Sequence, residues 1–188
     1  MRKLFVTQFM TLDGVMEAPG GEPGHPHTGW VFDFMGEQQQ QWKLKETQDT
    51  ETLLIGRVTY ESFFGAWPER EGPFAEKMNS MEKVVVSSTL TDPEWNNTTV
   101  LTGDIIDGVK NLKLGEGGPI QVPGSNSLVH LLLENGLVDE LVLMTFPVTV
   151  GSGLKVFPDN ESKTEWSLGE SETFDSGVRV DTYRSITG

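Results

Sequence analysis

A chain of 188 residues, 36% hydrophobic and 22% charged, has the length and balance of one soluble globular domain with a substantial core, not of a disordered chain. A net charge of −14 argues against nucleic-acid binding, which needs a basic face, and the absence of cysteine excludes disulfides, thiolate metal sites and a cysteine nucleophile. No run reaches the apolar length of a membrane helix, and Met1-Arg2-Lys3 leads straight into a strand pattern, so no membrane partner and a cytoplasmic location are expected.

Leu4 to Thr11 reads as a first strand, buried where Leu4, Phe5 and Val6 run together before alternation begins. The following stretch, DGVMEAPGGEPGHPHTGW, is rich in Gly and Pro and reads as a long loop, the kind that serves as a lid or stays disordered. Glu37 to Asp49 is polar and free of Gly and Pro, which predicts a helix with Trp42, Leu44 and Lys45 on its inner face. A strand over Thr52–Ile55 leads into a short helix around Thr59–Phe64, and a brief helix over Phe74–Met81 precedes a strand over Lys83–Ser87. After a turn at Asp92-Pro93 come a short strand at Thr99–Leu101 and an amphipathic helix at Ile105–Leu114, closed by GEGG.

A strand over Ile120–Val122 precedes a helix over Ser127–Asn135, with Gly136 ending it. Glu140–Phe146 and Gly177–Arg184 read as strands, and Trp166–Glu172 pairs with the latter as a hairpin beyond the Asp175-Ser176-Gly177 turn. Strands that alternate with helices and then end in strands alone predict one α/β domain over residues 1–188, its sheet carrying an antiparallel edge.

Three times an apolar run stops at small or basic residues and leads into a helix or loop. Leu53–Ile55 runs into Gly56, Arg57 and Thr59; Val84–Val86 into Ser87 and Ser88; Ile120–Val122 into Gly124, Ser125, Asn126 and Ser127. Parallel strands gather such loops at one sheet edge, where helix N-termini offer unpaired N–H groups to phosphate. Three in succession point to a nucleotide cofactor.

Gly56 and Gly124 allow close backbone approach, Arg57 supplies a planar cation, and Thr59 either bonds a phosphate oxygen or caps its helix. Ser87 and Ser88 suit a ribose 2′-phosphate, and equally a plain turn; Ser127 also reads as an N-cap. Asp13-Gly14 forms a turn after the first strand, its carboxylate structural and its loop lining the site, while Trp30, Phe32 and Trp67 are candidate walls for a flat ring. A buried tryptophan is the plainer account of Trp67.

His25 and His27 lack further metal ligands nearby, and no metal is expected; His130 sits in an apolar run as a packing residue. Asp139 and Glu140 read as positioning a helix–strand connection, and Gly151–Gly153 lacks the pattern of a hydrolase nucleophile elbow.

The segments LLIGRVTYESF and KVVVSSTL resemble the cofactor half of the dihydrofolate reductase superfamily. The run IQVPGSNSLVHLLLENGLVDELVLMTFPVTVGSG, the opening KLFVTQFMTLDGVMEAP and the ending FDSGVRVDTYR resemble its stand-alone RibD C-terminal relatives, the riboflavin-biosynthesis reductase type. The resemblance implies a three-layer fold, with a mostly parallel central sheet, helices on both faces and an antiparallel C-terminal hairpin. It also implies an NADPH-dependent reductase of a small heterocyclic (pyrimidine- or pterin-like) or carbonyl substrate, and a homodimer joined through the C-terminal strands and the region after the third helix.

In dihydrofolate reductases an acidic side chain near the following helix binds the pterin and assists protonation; Asp33 and then Glu37 match that position here. The family often has two glycines where this chain has Pro123-Gly124. The zinc-deaminase half of the bifunctional relatives has no counterpart, since the P-C-x-x-C element needs cysteine. A non-catalytic nucleotide-binding protein and a flavin- or folate-binding module are the competing readings of the same fold.

Overall fold

The computed structural model describes residues 1–186, so the last two residues of the expected domain lie outside the description. The elements are β1 (Leu4–Thr11), α1 (Glu37–Gln48), β2 (Thr52–Gly56), α2 (Arg57–Phe64), α3 (Pro73–Ser80), β3 (Glu82–Val86) and β4 (Thr98–Leu101). They continue with α4 (Ile105–Leu114), β5 (Ile120–Val122), α5 (Asn126–Glu134), β6 (Glu140–Phe146), β7 (Trp166–Thr173) and β8 (Arg179–Ser185). All strands join one sheet in the order β4-β3-β2-β5-β1-β6-β8-β7. β1 to β6 run parallel, while β8 is antiparallel to both β6 and β7.

Alternation along the strands divides the core into layers, because successive side chains point to opposite faces. Leu4, Val6, Leu54, Val84, Ile120 and Val122 pack with Val109 of α4 and Leu128, Val129 and Leu132 of α5. On the other face Phe5 packs with Trp30, Met144 and Phe146, and Leu53, Ile55 and Val85 pack with Tyr60 of α2 and Met78 of α3. This is the expected α/β arrangement, with helices on both faces and a C-terminal antiparallel hairpin. Among the described residues no helix is long and apolar enough to cross a membrane.

α5 ends as its glycine predicts. Gly136 adopts φ +63, its N–H donates to Leu133 O and the Leu137 N–H to Leu132 O, the paired bonds of a Schellman cap. The helix starts earlier than expected: Ser125, not Ser127, is its N-cap, and no side chain caps it.

The inner face of α1 departs from expectation. Lys45 is exposed, and Trp42 and Leu44 are only half-buried; Gln39 and Thr47 are the buried residues, joined by the side chains of Lys43 and Glu46. β1 and β5 present the polar Thr7 and Gln121 on this side, so the helix docks through hydrogen bonds. Lys43 Nζ donates to Thr7 Oγ1 at 2.9 Å and pairs with Glu46, and Gln121 Nε2 donates to Glu46 Oε2 at 3.0 Å.

Lys83 of β3 is wholly buried, with Nζ donating to Asn79 O at 3.1 Å, Met81 O at 2.8 Å and Asn96 O at 2.9 Å, and lying 4.4 Å from the Trp95 ring centre. Burial pushes its pKa down from 10.5 to about 8. Lys83→Met leaves three carbonyls without their donor and should cost about 3 kcal/mol in denaturant unfolding at pH 7. Between the native and unfolded pKa values the unfolded chain binds more protons, so this group's contribution to stability rises with pH. The stability of the native protein relative to Lys83→Met should therefore increase by about 1–2 kcal/mol from pH 7.5 to 9.5.

Candidate active site

Because β1, β2, β3 and β5 are parallel, their carboxyl ends at Thr11, Gly56, Val86 and Val122 share one sheet edge. There the β2 and β5 loops touch. The Gly56 N–H donates to Gly124 O at 3.4 Å, and a side-chain carbon on Gly56 would stand 1.9 Å from Ser125 Oγ. One on Gly124, where φ is +152, would stand 2.8 Å from Thr59 Oγ1. The Gly124–Ser125 peptide is cis.

Two helices begin at this contact, α2 after Gly56 and α5 after Ser125, and neither has a side-chain hydrogen bond at its N-cap. Among the described residues their first-turn N–H groups therefore face the edge without side-chain acceptors, the arrangement that suits anionic phosphate. Arg57 opens α2 and is exposed, with Nη1 donating to Glu61 Oε1 at 2.6 Å.

The remaining loop residues divide. Ser87 is buried, and its Oγ accepts the N–H groups of Thr89 at 3.1 Å and Leu90 at 3.0 Å, while Ser88 is exposed. Asn126 Nδ2 donates to Lys155 O at 2.6 Å, as His130 Nε2 does at 2.9 Å, so both hold the segment after β6 against α5; Ser127 is exposed.

Asp13 is a latch. Its carboxylate accepts the Thr11 hydroxyl at 2.6 Å, the Gly151 N–H at 2.7 Å and the Val150 N–H at 3.3 Å. The Thr11 bond, with help from these amides, holds its pKa below the usual 3.8. Gly14, at φ +82, turns the chain so that Val15 bridges Lys155, and Glu17 Oε2 accepts the Leu154 N–H at 2.8 Å. His25 adds a third tie through Nε2 to Ser152 O at 2.8 Å, with Nδ1 accepting the His27 N–H. That pattern is the neutral tautomer protonated at Nε2.

Trp30 is buried edge-on to Phe146 at 5.3 Å and donates to Glu17 O. Phe32 and Asp33 are exposed, as is Glu37, whose carboxylate accepts from Gln41 at 2.8 Å. Trp67 belongs to a different cluster, tilted against Phe74 and covered by Arg70 in the α2–α3 layer. The structure thus joins Gly56, Thr59, Gly124 and Ser125 but does not bring Trp67 to Trp30. It also turns Lys43 and Glu46 of α1 toward Thr7 and Gln121 on the sheet, a pairing without a local signal, since a charged helix residue ordinarily faces water.

The Bacillus subtilis (strain 168) protein YyaP, itself uncharacterized, is 28% identical over 186 residues, covering 94% of this chain and 92% of its own. A putative riboflavin biosynthesis protein from Shewanella sp. PV-4 has a similar structure, with a TM-score of 0.76 at 20% identity over 97% of this chain and 98% of that one. Dihydrofolate reductase from Enterococcus faecalis, complexed with NADP(H) and RAB-propyl, has a TM-score of 0.64 at 18% identity over 98% of this chain and 96% of that one. These structures share the fold, which is of the dihydrofolate reductase type. With the family model of the RibD C-terminal domain matching residues 2–180, the chain belongs to that family.

Proposed function

We propose that this chain is an NADPH-dependent reductase of a small heterocyclic (pyrimidine- or pterin-like) or carbonyl substrate, working in the cytoplasm. The observation that carries the reading is the meeting of two helix N-termini without side-chain caps at the Gly56–Gly124–Ser125 contact. Family membership and the NADP(H)-bound reductase of the same fold support it.

NADPH supplies the hydride when bound. The residues that would hold it fit its chemistry: backbone N–H groups of α2 and α5 for the pyrophosphate, Arg57 for a further phosphate, and the exposed Ser88 hydroxyl as a further donor. The latched segments at Asp13 and Trp30 form the wall on the β1 side. Asp33 and Glu37 are exposed, which favours a second reading, a nucleotide-binding protein without turnover. NADPH consumption driven by any pyrimidine, pterin or carbonyl substrate rejects that second reading.

Titration calorimetry with NADPH and NADH tests the first. Arg57→Ala should weaken NADPH by about 1–3 kcal/mol and NADH by less, because a charge-assisted phosphate bond is lost. Unchanged NADPH affinity removes Arg57 from the site.

The latch is checked by NMR. An Asp whose native pKa is depressed stabilises above its ordinary pKa, and that contribution is lost as pH falls through the native value. The Gly151 amide should shift upfield only below about pH 4 in the native protein, and should lack that transition in Asp13→Asn.

We further propose a homodimer formed through the C-terminal strands, where β7 is the sheet edge and Leu168 is exposed. Light scattering should return twice the chain mass at micromolar concentration, and a monomer mass sinks the proposal.

A further inference from the structure

The sheet edge that carries the candidate site holds little positive charge. In the segments that leave β1, β2, β3 and β5 there, residues 12–36, 57–64, 87–97 and 123–125, Arg57 is the only lysine or arginine. The same segments carry Asp13, Glu17, Glu22, Asp33, Asp92 and Glu94, besides Glu61. Across the chain acids outnumber bases, 28 against 14. An anionic ligand at this edge therefore relies on one guanidinium and meets a field that otherwise repels it.

That guanidinium is already engaged. Glu61 stands one turn after Arg57 on the same face of α2, and its Oε1 accepts Nη1–H at 2.6 Å. Both side chains are about half exposed, 45% for Arg57 and 53% for Glu61. A pair so wet contributes little to stability, so the fold does not depend on it. A guanidinium has five N–H donors, and the bond to Glu61 uses one. Among the described residues no other acceptor takes the rest, so they stay open to a phosphate with the carboxylate beside it.

Two effects of Glu61 oppose each other. It orients the guanidinium, which helps binding by less than about threefold. It also sets a negative charge beside any phosphate that Arg57 holds, and a phosphate monoester carries close to two charges at neutral pH. At low salt the repulsion outweighs the orientation, and it fades as salt is added.

We propose that Glu61 sets the nucleotide selectivity of the site. It holds down the affinity that Arg57 gives to a ribose-bound phosphate and so narrows the preference for NADPH over NADH. Glu61 acts through Arg57 and through its own charge, and touches no reacting atom. The proposal deepens the reductase reading and rests on it, adding a residue that determines cofactor specificity.

The test is titration calorimetry on the full chain with NADPH and with NADH. Glu61→Gln keeps an oxygen acceptor for Nη1 and removes the charge. It should bind NADPH about three- to tenfold more tightly at about 20 mM salt, with NADH changed by less than about twofold. The gain should shrink at about 500 mM salt. Glu61→Asp keeps the charge and should stay within about threefold of the native protein. Glu172→Gln, on β7 at the far edge of the sheet, removes a remote charge and should leave both affinities unchanged. In an Arg57→Ala background, Glu61→Gln should lose most of its effect.

Unchanged or weaker NADPH binding in Glu61→Gln overturns the proposal. So does an equal gain for NADH, or an equal gain in Glu172→Gln, which marks a general charge effect. Native protein that binds NADPH while Glu61→Gln changes nothing leaves the reductase reading standing and removes only Glu61. Native protein that binds neither nucleotide rejects that reading, and this proposal with it.

Discussion

The close approach of the β2 and β5 loops is the constraint on which the site depends. Gly56 donates to Gly124 O, and Ser125 Oγ occupies the space a side chain at position 56 would need. Absence of a side chain is thus what lets two strands deliver two helix N-termini to one spot. The parallel sheet makes this possible, since crossovers return every strand from β1 to β6 in one direction and collect the carboxyl ends at a common edge.

On the neighbouring side the edge is built by latches. The segment after β6 is held through Asp13, Glu17 and His25 from one loop and through Asn126 and His130 from α5. Most of these side chains grip backbone groups, which satisfies amides and carbonyls that a loop would otherwise leave to water. A Gly- and Pro-rich stretch so acquires a defined path without regular secondary structure.

α1 follows another rule. Its docking face carries Gln39, Lys43, Glu46 and Thr47, and its partners on the sheet include Thr7 and Gln121. A polar layer of this kind specifies position through directional bonds, whereas apolar packing tolerates sliding. Lys83 shows the same economy elsewhere, tying three carbonyls around the amino end of β3.

Much of the fold was legible in the sequence because its signals are local. Apolar runs at Leu4–Val6, Leu53–Ile55 and Val84–Val86 mark buried parallel strands, Gly136 marks a helix end, and Asp175-Ser176-Gly177 marks a turn. The candidate site was legible in part: Gly56, Thr59, Gly124 and Ser125 announce themselves by residue type at strand ends. Tertiary structure decided what residue type leaves open. It gave Ser87 to a turn, Asn126 to Lys155 and Trp67 to the α2–α3 layer, and it turned Lys43 and Glu46 inward. The physical reason is that a polar side chain's partner lies on another strand or loop distant in sequence. Periodicity identifies a charged helix residue but holds no record of a threonine on β1 or a glutamine on β5 waiting to receive it.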